Sequence, residues 1–520
     1  MRKLLLASVA AVTAGAAQAQ TDGLPAPNPS QGQWVAKYGA GPAANNNNNA
    51  WGIANTPTGG AAAGQLSTIY APNVNAVPTP GTIVIRLNGR VEVDFAAIFT
   101  NADVSNGNNG APTGYKLNPV GVGSYLRLYP GFDGVSSNGL RYGASAEIRQ
   151  NFGVADRSSP VPNGLTGAAA AGVANSPGGN NTQQTLYVRR AFTYIASDPV
   201  GLFRLGQTDG VLNLFDPCIF TSQCFDAGIG ALQGSSGFST LAPSGIPITW
   251  VWINQAGAEY TNAKVVYLSP QVYGFDFAAQ YAPNMGNAYQ MTGAGVGCNQ
   301  AGPSCIAVTS GNDATRWYNQ VGFGLRFQQT FGAVDVKAYG FYETAGKEEL
   351  TTSAYTTPAG ARATGAGVQT LRYDNLNFYK FGAAVTAMNV TLAADYIGGA
   401  VNGQLAMRPT GGAPMNALVT GLTYANGPLV AGVQVAWANS QGAAQLTGLT
   451  QRHEFGVVVG GTYRVAPGLQ LLAEYTYAQR HQGGFNFATN SLGAGTTATT
   501  AGLTRDAQGQ GLVLSTILTW

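Results

Sequence analysis

Two histidines, four cysteines and a few arginines set on alternating segments are the residues whose types and spacing bear on chemistry. His453 and His481 lie near the extracellular ends of neighbouring candidate strands, so a hydrolytic pairing with Ser, Asp or Asn is geometrically open. No nucleophile motif such as GxSxG accompanies them, and no catalytic residue is assigned. Cys218 with Cys224 and Cys298 with Cys305 form two local pairs in loop-like stretches. In an oxidising compartment such pairs read as two small disulfide-closed loops, with free thiols or a metal as the alternatives. Neither CxxC spacing nor a neighbouring His is present, so no metal or cofactor is expected. GIGALQG at 228–234 has the wrong spacing for a phosphate cradle and no helix follows it. Arg90, Arg127 and Arg189 alternate along their segments: Arg90 shares a face with Glu92, Arg127 with Tyr125 and Tyr129, and Arg189 with Tyr187 and Thr193. Alternation aims all three toward one wetted face, with Arg190 turned the other way beside Val188 and Phe192.

The elements that position these side chains are strands. Periodicity starts abruptly at Thr82, where Ile83, Ile85, Leu87, Val91, Val93 and Phe95 alternate with Arg86, Asn88, Arg90, Glu92 and Asp94. The pattern recurs at 82–99, 119–130, 139–153, 184–197, 200–208, 256–269, 273–283, 316–331, 333–345, 370–387, 389–398, 413–425, 428–440, 452–465, 468–481 and 508–520. That makes sixteen candidate strands, an even number, and eighteen would result if the long links hid another hairpin. Links at Asp198 and Pro199, Pro270 and Gln271, Gly332, Met388, Asn426 and Gly427, and Pro467 and Gly468 are tight, and the intervening links are longer. Tight turns at one rim and long loops at the other describe a transmembrane antiparallel β-barrel with its long loops outside. A soluble β-sandwich alternates similarly strand by strand, but needs neither of the chain's two ends.

Those ends point to export and membrane insertion. Arg2 and Lys3, an apolar stretch from Leu4 to Ala16 too short to span a bilayer, and the small-residue run Ala17, Gln18, Ala19 read as a signal peptide over 1–19. At the other end Leu512, Leu514, Leu518 and Trp520 share one face of a last strand that finishes on an aromatic. Residues 20–80, rich in Ala, Pro, Asn and Gly with a run from Asn45 to Asn49, read as a low-complexity extension, and 81–520 as the barrel. Charged residues are 9% of the chain, and removing the signal lowers the formal charge from +3 to +1, which is no nucleic-acid signature.

The longest link, about 209–255, carries Leu212, Leu214, Phe215, Ile219, Phe220, Phe225 and Ile229, too many apolar side chains for a freely solvated loop. Folding into the lumen covers them and narrows a channel; a compact outer cap pinned by Cys218 and Cys224 is the other solution.

A family resemblance rests on particular stretches. YVRRAFTYIASDPVGLFRLGQTDG at 187–210 resembles the paired strands before the third loop of Gram-negative general porins. LNGRVEVDF at 87–95 resembles their first strand, YLRLYPGFDG at 125–134 the second, and YLSPQVYGFDFAAQY at 267–281 the pair after the third loop. The resemblance runs over about 82–520. It implies a homotrimer of sixteen-stranded barrels in the outer membrane, each pore constricted by the third loop folded into the lumen. It also implies a basic ladder of Arg90, Arg127 and Arg189 on the wall, facing Asp216 and Asp226 on that loop. Two departures stand out: Tyr260 occupies a position where many relatives carry arginine, and a cysteine pair in the third loop is not a family feature. Arg190, if outward at mid-bilayer, would cost about 2–4 kcal/mol, which places it at a subunit contact or near a rim.

The implied function is passive diffusion of small hydrophilic solutes and ions, with lipid, the trimer partners and the solutes as its contacts, and neither cofactor nor nucleic acid. A phosphate- or other anion-selective porin is the nearest alternative, and the balance of 24 basic against 23 acidic residues in the mature chain argues against its dense basic track. A plugged structural barrel and a barrel enzyme complete the set.

Overall fold

A strand can face lipid on one side only if its neighbours satisfy every backbone donor and acceptor, which an open sheet edge in a bilayer does not allow. The computed structural model describes residues 80–100, 104–106, 112–116, 119–152, 187–197, 200–208, 210–211, 263–270, 272–284, 316–348, 373–403, 407–426, 428–443, 446–466, 469–486, 491–492 and 506–519. Within them sixteen strands close into one barrel. They are β1 Ile83–Thr100, β2 Val120–Val135, β3 Arg141–Phe152, β4 Tyr187–Ser197, β5 Gly201–Gln207, β6 Ala263–Leu268, β7 Phe275–Asn284 and β8 Arg316–Phe331. They continue as β9 Val334–Glu348, β10 Leu376–Ala387, β11 Val390–Ala400, β12 Met415–Asn426, β13 Leu429–Ser440, β14 Arg452–Ala466, β15 Leu469–His481 and β16 Asp506–Thr519. Each strand pairs antiparallel with its sequence neighbours, and β1 closes the ring on β16, from Arg90↔Thr519 to Thr100↔Gly509. No described helix is long and apolar enough to cross a membrane.

The barrel is apolar outside and polar within, the inverse of a soluble domain. Ile85, Leu87, Phe95, Phe323, Leu325, Leu392, Leu418 and Leu514 are exposed on the outer face. Glu92, Asp94, Arg204, Lys264, Asp276, Arg326, Lys380, Asp395 and Glu474 are buried on the inner one. Two aromatic girdles bound the outer apolar band, as headgroup-level side chains do in barrel membrane proteins. Near the tight-turn rim Tyr267 packs on Phe203 and Phe277, and Phe275 on Phe327. Toward the long-link rim stand Tyr281, Tyr379, Tyr396, Trp437 and Tyr475. There Tyr281, Tyr396 and Tyr475 donate their hydroxyls to Asn319, Asn416 and Gln510 at 2.7–2.8 Å, so the polar tips are satisfied where water begins.

Three local features depart from the sequence expectation. First, β2 does not stop at Pro130 but runs on to Val135. Proline has no N–H to donate; the β2–β3 register passes from Leu128↔Ile148 to Gly131↔Ser145, and Ser145 Oγ instead donates to the Pro130 carbonyl at 3.5 Å. The β2–β3 link shrinks to Ser136–Leu140 and joins the tight-turn rim, where a longer connection was expected. Second, β6 and β7 are separated by 269–274 rather than by Pro270 and Gln271 alone, with Val272 and Phe275 forming an isolated bridge. Third, the β3–β4 register slips between Glu147 and Ile148: Arg190 stands opposite Glu147, Val188 opposite Ile148, and Arg189 is the extra residue of a bulge. One inserted residue reverses the alternation, so Phe192 is buried within and Thr193 faces out, contrary to the simple period-two reading. The backbone register thus puts Arg190 in phase with Phe192 and Tyr194 rather than with the outward Val188.

Candidate pore lining

The inner wall is built from cross-strand charge pairs whose partners the register puts side by side. Arg326 of β8 faces Asp276 of β7, donating from Nε to Oδ1 at 3.0 Å and from Nη2 to Oδ2 at 2.5 Å. That bidentate geometry is the strongest form of such a pair. Arg480 of β15 holds Glu454 of β14 in the same cross-strand manner. Asp395 of β11 accepts from the Tyr339 hydroxyl and lies 3.5 Å from Lys380 Nζ, while Lys380 sits 5.4 Å from the Tyr339 ring centre. Arg204 of β5 donates to Thr208 at 2.7 Å and lies 4.2 Å over the Phe192 ring. The Tyr194 hydroxyl reaches Asp133, and Ser515 reaches Asp94, each at 2.5 Å. Bases and acids are thus distributed around the wall and fixed in place, as a channel needs if its field is to act on passing solutes rather than follow flexible side chains.

Gly382 shows how little slack there is. A Cβ on it would overlap Asp395 Oδ1 and lie 2.9 Å from the Ala394 carbonyl oxygen. Gly382→Ala is expected to displace the Asp395 carboxylate and destabilise the barrel by about 1–3 kcal/mol. Urea unfolding of the protein in lipid vesicles checks the value.

Among the residues singled out from sequence, Arg90 and Arg127 are register partners on β1 and β2. Arg127 in turn stands opposite Arg149 of β3, giving three arginine positions abreast on neighbouring strands. Arg90 is in phase with the buried Glu92, Asp94 and Ala96. Arg149 escapes sequence reasoning because only the register reveals that it continues the row. Arg189 sits at the bulge described above. Asp216, Asp226, Cys218, Cys224, Cys298 and Cys305 lie outside the described residues, as do the proposed signal segment and most of the 20–80 extension.

Two further features were not expected. The inner face is not uniformly polar: Trp317, Phe341, Leu376, Phe378, Ile397 and Met415 are buried in one apolar cluster, with Phe341 and Phe378 edge to face at 5.9 Å. At the long-link rim, side-chain amides tie three links together. Asn402 donates to the Gly442 carbonyl and accepts from its N–H, both at 2.8 Å, and Gln482 donates to the Gln441 carbonyl at 2.8 Å and accepts from Ala443 N–H. Thr450 closes the knot on the Gly483 carbonyl at 2.7 Å. Isolated Asn and Gln in loops give no periodic signal, so sequence alone passes over them, yet they fix the shape of this side of the mouth.

The family model for Gram-negative porins matches residues 6–483. No curated protein matches the sequence. Among solved structures, the anion-selective porin from Comamonas acidovorans is similar at 14% identity, over 84% of this chain and 100% of that one, with a TM-score of 0.44. OmpF of Salmonella typhi, solved in complex with daunomycin, gives 14% identity over 83% of this chain and 97% of that one, with a TM-score of 0.42. The outer membrane channel DcaP of Acinetobacter baumannii gives 12% identity over 86% and 99%, with a TM-score of 0.42.

Proposed function

This chain belongs to the Gram-negative porin family, and from that premise we propose a trimeric general porin whose selectivity is set by the arginine row of β1–β3. The coarser function follows from the family: the protein is an outer-membrane channel for passive diffusion of small hydrophilic solutes and ions. The observation that carries the finer reading is the register Arg90↔Arg127↔Arg149. Like charges directly opposite one another oppose sheet formation, so a row of three is retained at some cost in stability and makes one sector of the wall electropositive. Glu92 and Asp94 are in phase with Arg90 on β1, so acid lies beside the basic row on the same stretch of wall. In this reading Arg189 extends the basic side, and Asp216 and Asp226 face it from the third loop. The two cysteine pairs close as disulfides, and the mature chain starts after Ala19. In this reading the protein acts without catalysis, since no nucleophile motif such as GxSxG accompanies its two histidines.

Arg127→Glu tests the selectivity. Replacing a cation by an anion in the middle of the row is expected to lower the anion-to-cation permeability ratio by roughly fivefold, the equivalent of about 1 kcal/mol at contact distance in a water-like dielectric. Reversal potentials in a salt gradient measure it, and an unchanged ratio removes the row from the constriction. An unheated gel or native mass spectrum reporting three copies supports the trimer; a monomer removes it.

A further inference from the structure

The only two histidines in 520 residues stand side by side. His453 of β14 and His481 of β15 are register partners on the outer face, with ring centres 6.5 Å apart and planes inclined by 30°. The row continues on both flanks, with Asn439 of β13 opposite His453 and Asp506 of β16 opposite His481. Each flanking oxygen engages an Nδ1: Asn439 Oδ1 meets that of His453, and Asp506 Oδ1 lies 2.5 Å from that of His481. An ionised carboxylate only accepts, so His481 Nδ1 carries a proton, and an amide oxygen imposes the same on His453. In the neutral imidazoles the lone pair is then on Nε2, the ring atom left for an outside ligand. Oxygen partners on the far nitrogen are what fix tautomer and orientation in metal-binding histidines.

We propose that His453 and His481 form a two-imidazole site for a divalent transition-metal ion on the outer rim of the barrel. The ligand chemistry selects Zn²⁺, Cu²⁺ or Ni²⁺ over Mg²⁺ or Ca²⁺, because imidazole nitrogen suits the former and hard oxygen the latter. Metal–nitrogen bonds of about 2.0–2.1 Å require the rings to swing toward each other by roughly 1–2 Å. Both side chains are exposed, that of His481 by 50%, so the swing needs no repacking. Among the described residues no group of three or more His, Cys, Asp or Glu is arranged around a metal, so the two imidazoles leave the ion's remaining positions to water or to ligands other than these residues. The site is therefore open and exchangeable. It stands beyond Tyr475 and Tyr477 on β15, past the girdle, where the headgroups and sugars of the outer leaflet would meet it.

The test uses the full-length folded protein in detergent, trimer or monomer, with its two cysteine pairs oxidised and any free thiol alkylated, so that thiolates contribute nothing. Cu²⁺ titration followed by electron paramagnetic resonance is expected to give one ion per protomer with coupling to two nitrogens, and calorimetry with Zn²⁺ a matching stoichiometry. His453→Ala and His481→Ala each weaken binding by about tenfold or more, and Asp506→Ala, which keeps both ligands, by about tenfold through the lost outer partner. Conductance is unchanged in all three, showing that the barrel is intact. Saturable binding that persists undiminished in the double variant, or a wild-type protein that takes up neither ion saturably, overturns the site.

Discussion

Asp276→Ala is expected to lose about 3–5 kcal/mol of folding stability, because it removes the carboxylate that receives two hydrogen bonds from a guanidinium only 3% exposed. The register explains why the effect is local to one site: Asp276 and Arg326 are direct cross-strand partners, so no neighbouring acid on β7 can slide into place without breaking the ladder. Replacing both members together, as Asp276→Leu with Arg326→Met, is expected to recover most of the loss, since an apolar pair of similar volume removes the desolvation cost along with the attraction. Urea titrations of the two proteins in vesicles separate these outcomes. A single variant as stable as the double variant would show that the pair is solvated and that the wall at β7–β8 is not held by it.

The lipid face has its own prediction, and its size depends on depth. Leu514, outward and mid-strand on β16, lies in the apolar band; Leu514→Arg is expected to destabilise the folded protein by about 2–4 kcal/mol. Gln508 projects from the same strand and the same face but lies beyond the Tyr475 girdle and next to Asp506, so Gln508→Arg is expected to change stability by at most about 1 kcal/mol. Equal effects at the two positions would mean that the slab bounded by the two aromatic girdles is misplaced.

Much of this architecture is legible in the sequence because lipid and water impose opposite demands on successive residues. In β1, Ile85, Leu87, Val93 and Phe95 face out while Glu92 and Asp94 face in, and a period of two is the direct record of that division. The even count and the pairing of β16 with β1 follow from closure, which leaves no free edge in the bilayer. What escaped sequence reasoning lies where one residue breaks the period. Pro130 looks like the end of a strand, yet the ladder tolerates it because the β2–β3 register skips its missing donor. The bulge at Arg189 reverses the phase along the rest of β4, and neither Arg189 nor Arg190 announces it, since both are arginine. The apolar cluster around Phe341 and Phe378 breaks the rule of a polar interior, and the amide knot of Asn402, Gln441 and Gln482 joins links 40 residues apart. Contacts of that kind depend on which strands become neighbours, which local pattern does not encode. Arg149 belongs to the same class: alternation places it on a face, but only the β2–β3 register makes it the third member of a row.

The central claim is that this closed barrel conducts through its own lumen. Single-channel recording of the refolded mature protein in planar bilayers tests it most directly. The expected result is a long-lived ohmic step whose size scales with bath salt, arriving in groups of three for a trimer, with a reversal potential that Arg127→Glu shifts toward cations. A protein that inserts with full β-structure and heat-resistant folding yet leaves the bilayer silent would contradict it.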